Sequence, residues 1–327
     1  MNNLFLFRPP FYLKNQHIQS TLNSVGPRKF RAKRLSKLLQ SEICHFTNKE
    51  GVTLKGVFDS NLSPEKNKDA VVILIHGWEG SNNSAYMVTT AYKLLKEGYD
   101  VLRLNLRDHG DTQHLNKEIF NSTMMPEVAD CIELFLNKRS YSKKFLVGFS
   151  LGGNFTLRIA ADRGTDLGLN SAIGICPPVD PINASDKLSQ SLFIYQKYFI
   201  YRWKNSLHKK IEHFPDYDFR SELEDAKSID DMNKQFIPRF TPYNDPDSYF
   251  NAYALTKDRL KNLNIPATLI ATKDDPIIPW QDLLKINCPE KLTIELHQKG
   301  GHCGFIKNLK GESWMESYLI NLLAKFN

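Results

Sequence analysis

Residues 144–155 read KFLVGFSLGGNF. A short apolar run ends at Gly148-Phe149, Ser150 follows, and glycines return at 152 and 153. Three chemistries use glycine-rich turns of this kind. A phosphate loop needs G-x-x-x-x-G-K-[ST], and no Lys-Ser/Thr follows here. A dinucleotide turn needs G-x-G-x-x-G, and position 150 is serine. The third pattern, G-x-S-x-G between a strand and a helix, is met by Gly148, Ser150 and Gly152. Ordinary composition gives it on the order of 0.05 times by chance in a chain of this size. The plain alternative is a structural turn serine.

Working outward, apolar runs alternate with helical patterns. AVVILI (70–75) is continuous and rich in β-branched residues, as expected of a parallel strand buried on both faces. A helical pattern follows, with Val88, Tyr92 and Leu95 on one face and Gly98 as its terminator. DVLRLNL (100–106) reads as the next strand, and Pro126 opens a helix whose face carries Val128, Cys131, Ile132 and Phe135. KFLVGF (144–149) is the strand before Ser150, and the helix after it ends near Gly164. SAIGIC (171–176), PATLIA (266–271) and KLTIEL (291–296) complete the strands. Met315, Tyr318, Leu319 and Leu322 mark a last helix. This alternation predicts an α/β fold, with a mostly parallel central sheet and helices on both faces. Residues 177–264 contain no clear strand and many aromatics, which predicts a helical cap inserted in a single 1–327 domain, over the sheet edge where ligands bind.

A serine hydroxyl is a weak nucleophile until a base takes its proton, and that base needs an orienting carboxylate. In a strand–turn–helix arrangement the order along the chain is Ser, then Asp or Glu, then His. The acid belongs after a late strand, where TKDDPIIP offers Asp275, with Asp274 as rival. The base belongs after the last strand, where HQKGGHCGF offers His302 behind two glycines. His297 is the alternative, at the end of its strand. Cys303 is an alternative nucleophile by type, although adjacency to a base in sequence is not the required geometry. The oxyanion donors expected are the amides of Leu151, at the helix start, and Trp78, in HGWEGS (76–81). His76 reads as structural.

Bulk properties set the outer limits. The chain has 327 residues, 41% hydrophobic and 24% charged, which suits a globular protein with a sizeable core. Net charge is +7, and six Lys/Arg fall in PRKFRAKRLSK (27–37), with a second basic run at 201–210. Solvated faces explain both, and weak peripheral contact with an anionic membrane surface, or with an anionic substrate, is the sharper reading. Nucleic acid is not expected, since no reading motif accompanies the charge. Five widely spaced cysteines, with no CxxC, argue against a disulfide framework or zinc site and for a reducing compartment. The N-terminus MNNLFLFRPPF lacks the features of a signal peptide, so a cytoplasmic protein is expected.

These residues resemble the α/β-hydrolase superfamily, and within it the YheT-like family of serine esterases. GFSLGGN, HGWEGSNNS, DDPIIP and GGHCGF are similar to its nucleophile, oxyanion, acid and base loops. PPFYLKNQHIQS (9–20) is similar to its amino-terminal signature, through Pro9, Pro10, Leu13, Asn15, His17 and Gln19. FTPYNDPDSYF (240–250) is similar to its cap segment. The resemblance implies a carboxylesterase-type hydrolase with Ser150, Asp275 and His302 as triad, working without cofactor or metal on a small ester. The aromatic cap adds the expectation of an apolar acyl group. Trp78 stands where the family usually has an aliphatic residue, and NLRDHGDT departs from its Arg-Gly pattern. Acyl transfer, or binding without catalysis on the same scaffold, stays open, as does the oligomeric state.

Overall fold

Ala70–Ile75 forms strand β3, and its alternate residues feed opposite layers. Val71, Ile73 and Ile75 enter one core with helix α4 (Met125–Asn137) and helix α5 (Leu151–Arg163). Ala70, Val72 and Leu74 enter the other, with helix α3 (Ala85–Lys96) and helix α11 (Trp314–Leu323). A strand buried on both faces has no polar side, which is why the run is uninterrupted.

The computed structural model describes residues 6–326. Its sheet has eight strands in the order β1-β2-β4-β3-β5-β6-β7-β8. The strands are β1 (Glu42–Thr47), β2 (Thr53–Asp59), β4 (Asp100–Leu104), β5 (Lys143–Phe149), β6 (Ser171–Ile175), β7 (Ala267–Thr272) and β8 (Leu292–His297), with β3 as above. From β4 through β8 all neighbours are parallel; β2 runs antiparallel to both β1 and β4. The α/β fold expected from the alternation, with a mostly parallel sheet and helices on both faces, is therefore present, with one antiparallel edge, and it has the α/β-hydrolase form that the resemblance implied. That edge hairpin was not anticipated. Its turn signal is Asn48, whose side chain accepts the amides of Glu50 and Val52.

Two helices precede the sheet, α1 (Gln16–Leu22) and α2 (Pro27–Ser36). The basic run 27–37 is largely α2, and it is not simply a solvated face. Arg28 is buried and pairs with Glu316 of α11 at 3.1 Å, and Arg31 joins the same carboxylate at 2.8 Å. In the second run, Lys210 is buried on Asp108 at 2.8 Å. A paired carboxylate offsets the cost of burying each of these charges. Lys29, Lys33, Arg34 and Lys37 do face solvent. The N-terminal reading falls partly on residues 1–5, which lie outside the described residues. No helix among the described residues is long and apolar enough to cross a membrane. The five cysteines are all free thiols.

Between β6 and β7 come five helices: α6 (Pro181–Ser189), α7 (Phe193–His213), α8 (Arg220–Asp225), α9 (Ile229–Phe240) and α10 (Pro246–Ala252). They hold their own apolar cluster, with Phe219, Leu223, Met232 and Phe236 buried among one another.

The turn from β5 into α5 is pressed against its neighbours. A Cβ on Gly152 would overlap the carbonyl oxygens of Ile75 and His76; one on Gly148 would overlap the Gly152 carbonyl and Thr156 Oγ1. Both obstacles are mainly backbone, so side chains cannot move aside. Gly152→Ala should therefore lower unfolding free energy by about 2–3 kcal/mol, seen as an earlier urea midpoint with unchanged slope.

Candidate active site

The chain leaves β3 towards β4 on one side and leaves β5 towards β6 on the other. Adjacent parallel strands whose connections diverge open a crevice at their carboxyl ends. Two loops meet there, the one after β3 (76–84) and the turn at Ser150.

Ser150 has φ 54° and ψ −121°, a conformation that costs a non-glycine residue about 1–3 kcal/mol. It is held by its own N–H, which donates to Ile175 O at 2.8 Å, and by its carbonyl, which accepts the Asn154 amide at 3.1 Å. The strain lifts the side chain clear of both strand and helix. Gly77 lies directly beside it, and a Cβ there would sit 3.1 Å from Ser150 Cβ.

Around that hydroxyl the amides are unspent. Neither the Trp78 nor the Leu151 N–H donates a hydrogen bond within the described residues. Leu151 opens a helix of 13 residues, so the positive end of the helix dipole adds to its amide. His76 shapes the other side. Its Nε2 accepts the Leu106 N–H at 3.1 Å, which leaves the proton on Nδ1 to donate to Gly77 O at 2.8 Å. Burial, then the neighbouring His109, pushes its pKa down to about 3, so it is neutral. Both nitrogens are committed to backbone groups, Nδ1 to Gly77 in its own loop and Nε2 to Leu106 beyond β4, and the structural reading of His76 fits.

The two aspartates after β7 divide the work. Asp275 Oδ1 accepts the amides of Ile277 and Ile278 at 2.8 and 2.9 Å, and Oδ2 lies 2.8 Å from His302 Nδ1. Asp274 turns to the backbone, accepting the Gly301 N–H at 3.0 Å. Of the two rivals, only Asp275 touches the imidazole.

His302 Nε2 is 2.9 Å from Ser150 Oγ. With Nδ1–H donated to Asp275, the neutral ring leaves an Nε2 lone pair for the serine proton. Burial works against charge on the ring, but the Asp275 carboxylate outweighs it and lifts His302 from 6.5 to about 9. The competitors lie elsewhere. His297 ends β8, is buried, and its Nδ1 accepts the Phe7 amide. The Cys303 thiol is buried on Ile175 O at 3.5 Å, while the ring's Nε2 faces Ser150 Oγ.

Helix α7 roofs the crevice. Tyr195, Phe199 and Trp203 recur every four residues, so they share one helical face. Phe199 stacks on Trp78 with ring centroids 5.2 Å apart, and Trp203 meets it edge-on at 5.4 Å. Ile277 and Ile278 of the acid loop join the same apolar cluster. Sequence reasoning missed Lys187 of α6, whose Nζ donates to Asp275 O at 2.7 Å and ties the roof to the acid loop. A lysine on an amphipathic helix carries no mark of such a role. It also missed Ser20 Oγ, which accepts the His302 N–H at 2.8 Å. Among the described residues no group of three or more His, Cys, Asp or Glu could hold a metal ion.

Comparison with known proteins agrees with the fold. The model of the alpha/beta hydrolase fold family matches residues 70–309. The chain is 23% identical over 261 residues to the protein YheT of Escherichia coli, covering 78% of this chain and 76% of that one. It is 22% identical over 301 residues to a monoacylglycerol lipase of Saccharomyces cerevisiae, covering 84% and 66%. Among solved structures, an esterase of Pyrococcus furiosus superposes with TM-score 0.59 at 16% identity, covering 90% of this chain and 93% of that one.

The division between the aspartates has a direct test. Asp275→Asn removes the charge that holds His302 up, so its titration should fall from about 9 to 6.5 or below. Asp274→Asn keeps an acceptor for Gly301 and should leave it in place. Ring-proton NMR across a pH series reads both.

Proposed function

We propose that this chain, which belongs to the α/β hydrolase fold family and is YheT-like, hydrolyses carboxylic esters through an acyl-enzyme on Ser150. The observation that carries the reading is the continuous pair of contacts, Ser150 Oγ to His302 Nε2 at 2.9 Å and His302 Nδ1 to Asp275 Oδ2 at 2.8 Å.

In this mechanism neutral His302 takes the hydroxyl proton as Ser150 Oγ attacks the ester carbonyl. Negative charge gathers on the carbonyl oxygen, and the free amides of Leu151 and Trp78 are its donors; one such donor is worth roughly 3–4 kcal/mol of transition-state stabilisation. Imidazolium next to ionised Asp275 then returns the proton to the leaving alkoxide. Water, deprotonated by the same ring, releases the acid and restores Ser150. Residues 177–264 act as a cap. Its apolar underside, with Phe199 and Trp203 around Trp78, favours an apolar acyl group over a charged one. The monoacylglycerol lipase relative is consistent with a small ester of that kind.

Purified protein should turn over p-nitrophenyl esters of graded chain length, and Ser150 should be labelled by a fluorophosphonate. Ser150→Ala should lose about 10⁴-fold or more in kcat and all labelling. Absence of both turnover and labelling in the wild type would sink the proposal. The pH dependence has a definite sign. The base must be neutral, and His302 titrates above the ordinary 6.5, towards 9. So kcat/KM should rise with pH across that window, not level off near pH 7.

A further inference from the structure

The segment NQHIQS (15–20) has no part in the chemistry above, yet it is bound to the loop that carries the base. Asn15 caps α1, its side chain accepting the amides of His17 and Ile18 at 2.9 and 3.2 Å. Gln19 is completely buried and makes three bonds. Its Nε2 donates to Leu13 O at 2.8 Å and to Ile306 O at 3.0 Å, and its Oε1 accepts the Ile306 N–H at 2.7 Å. Ser20 Oγ donates to Gln16 O at 2.7 Å and accepts the His302 N–H at 2.8 Å. The approach is backbone to backbone: a Cβ on Gly304 would overlap the Gln19 carbonyl oxygen. On its far side α1 meets the cap, where His17 Nδ1 and Tyr195 Oη are 3.2 Å apart.

The base loop needs such support. Of the six residues Gly300–Phe305, Gly300, Gly301, Cys303 and Phe305 all have positive φ. Such a segment has little preference of its own for one conformation. Yet the imidazole must keep two contacts within hydrogen-bond range, and a 1 Å error in such a site costs about 10²-fold in rate.

We propose that α1 is the positioning element for the catalytic base, with Ser20 fixing the His302 backbone and Gln19 anchoring the chain just beyond it. The proposal rests on the esterase reading for its kinetic consequence, but not for its structural one. Ser20→Ala leaves the His302 amide without its acceptor and lets the ring drift from both Asp275 and Ser150.

Three proteins test this: wild type, Ser20→Ala and Ser20→Thr, which retains the hydroxyl. In Ser20→Ala the His302 ring protons should titrate lower than in the wild type, moving from about 9 toward 6.5, as its contact with Asp275 loosens. The fluorophosphonate rate and kcat should fall about tenfold with KM little changed, and the rising limb of the pH profile should move to lower pH with the titration. Ser20→Thr should restore all four. If Ser20→Ala melts earlier but keeps the wild-type titration, labelling rate and pH limb, the helix is merely structural and the proposal is overturned. The titration needs no substrate, so it decides the positioning role even if the wild type turns over no ester.

Discussion

The site depends on one steric constraint: the turn after β5 runs in backbone contact with the end of β3. Gly152 lies so close to the Ile75 and His76 carbonyls that no side chain fits between them. This contact brings the start of α5, with its free amides, alongside the loop that begins at His76. It also forces Ser150 into its strained conformation, which the bond to Ile175 O at the end of β6 then holds. Three neighbouring strand ends are thus locked together before any catalytic partner is considered. Ser150 projects from that rigid seam, and Asp275 and His302 arrive from the loops after β7 and β8 on the same edge.

Electrostatics then separates the half-buried His302 from the three buried histidines. His76, His109 and His297 are pushed down to about 3, 4 and 4, chiefly by burial, and each is neutral at pH 7. None of them has a carboxylate at hydrogen-bond range. His302 suffers the same loss of solvation and is lifted to about 9 because Asp275 stands 2.8 Å from its Nδ1. The carboxylate in turn accepts two backbone amides as well as the ring, so its charge is satisfied without solvent. Burial sets the stakes, and the single charged neighbour decides the outcome.

Much of this was legible in the chain, for local reasons. Doubly buried strands show as unbroken apolar runs, so β3, β5, β6 and β7 stand out, and the glycines around Ser150 record the close approach that requires them. The hairpin of β1 and β2 was not read, because its outer strand β1 is an edge strand with little burial, and EICHFT shows only weak alternation. Asp274 and Asp275 are indistinguishable by type and position. Which one faces the ring is set by the turn in which Asp275 accepts the amides of Ile277 and Ile278. Arg28 and Lys210 looked like surface charge, since their partners Glu316 and Asp108 lie 288 and 102 residues away in sequence.

The same non-local character runs through the site's supports. Each loop is held by a neighbour rather than by its own strand. His302 N–H is fixed by Ser20, Gly301 N–H by Asp274, Asp275 O by Lys187 and Ser150 N–H by Ile175 O. Loops are ordinarily the mobile part of a fold, and a site built from them is only as accurate as its cross-links. Here the cross-links close a ring. Helix α1 binds the base loop and, through His17, the cap; the cap binds the acid loop through Lys187 and covers the oxyanion loop through Phe199. A displacement of the cap large enough to admit a substrate must therefore pull on the acid and base loops as well. The contacts that can yield without breaking the catalytic pairs are the apolar ones, Phe199 and Trp203 on Trp78. Rings in van der Waals contact, Phe199 stacked and Trp203 edge-on, resist sliding far less than the charge-assisted contact of Asp275 Oδ2 with His302 Nδ1 resists stretching, so access to Ser150 should open along the Trp78 side of α7 while that pair stays closed.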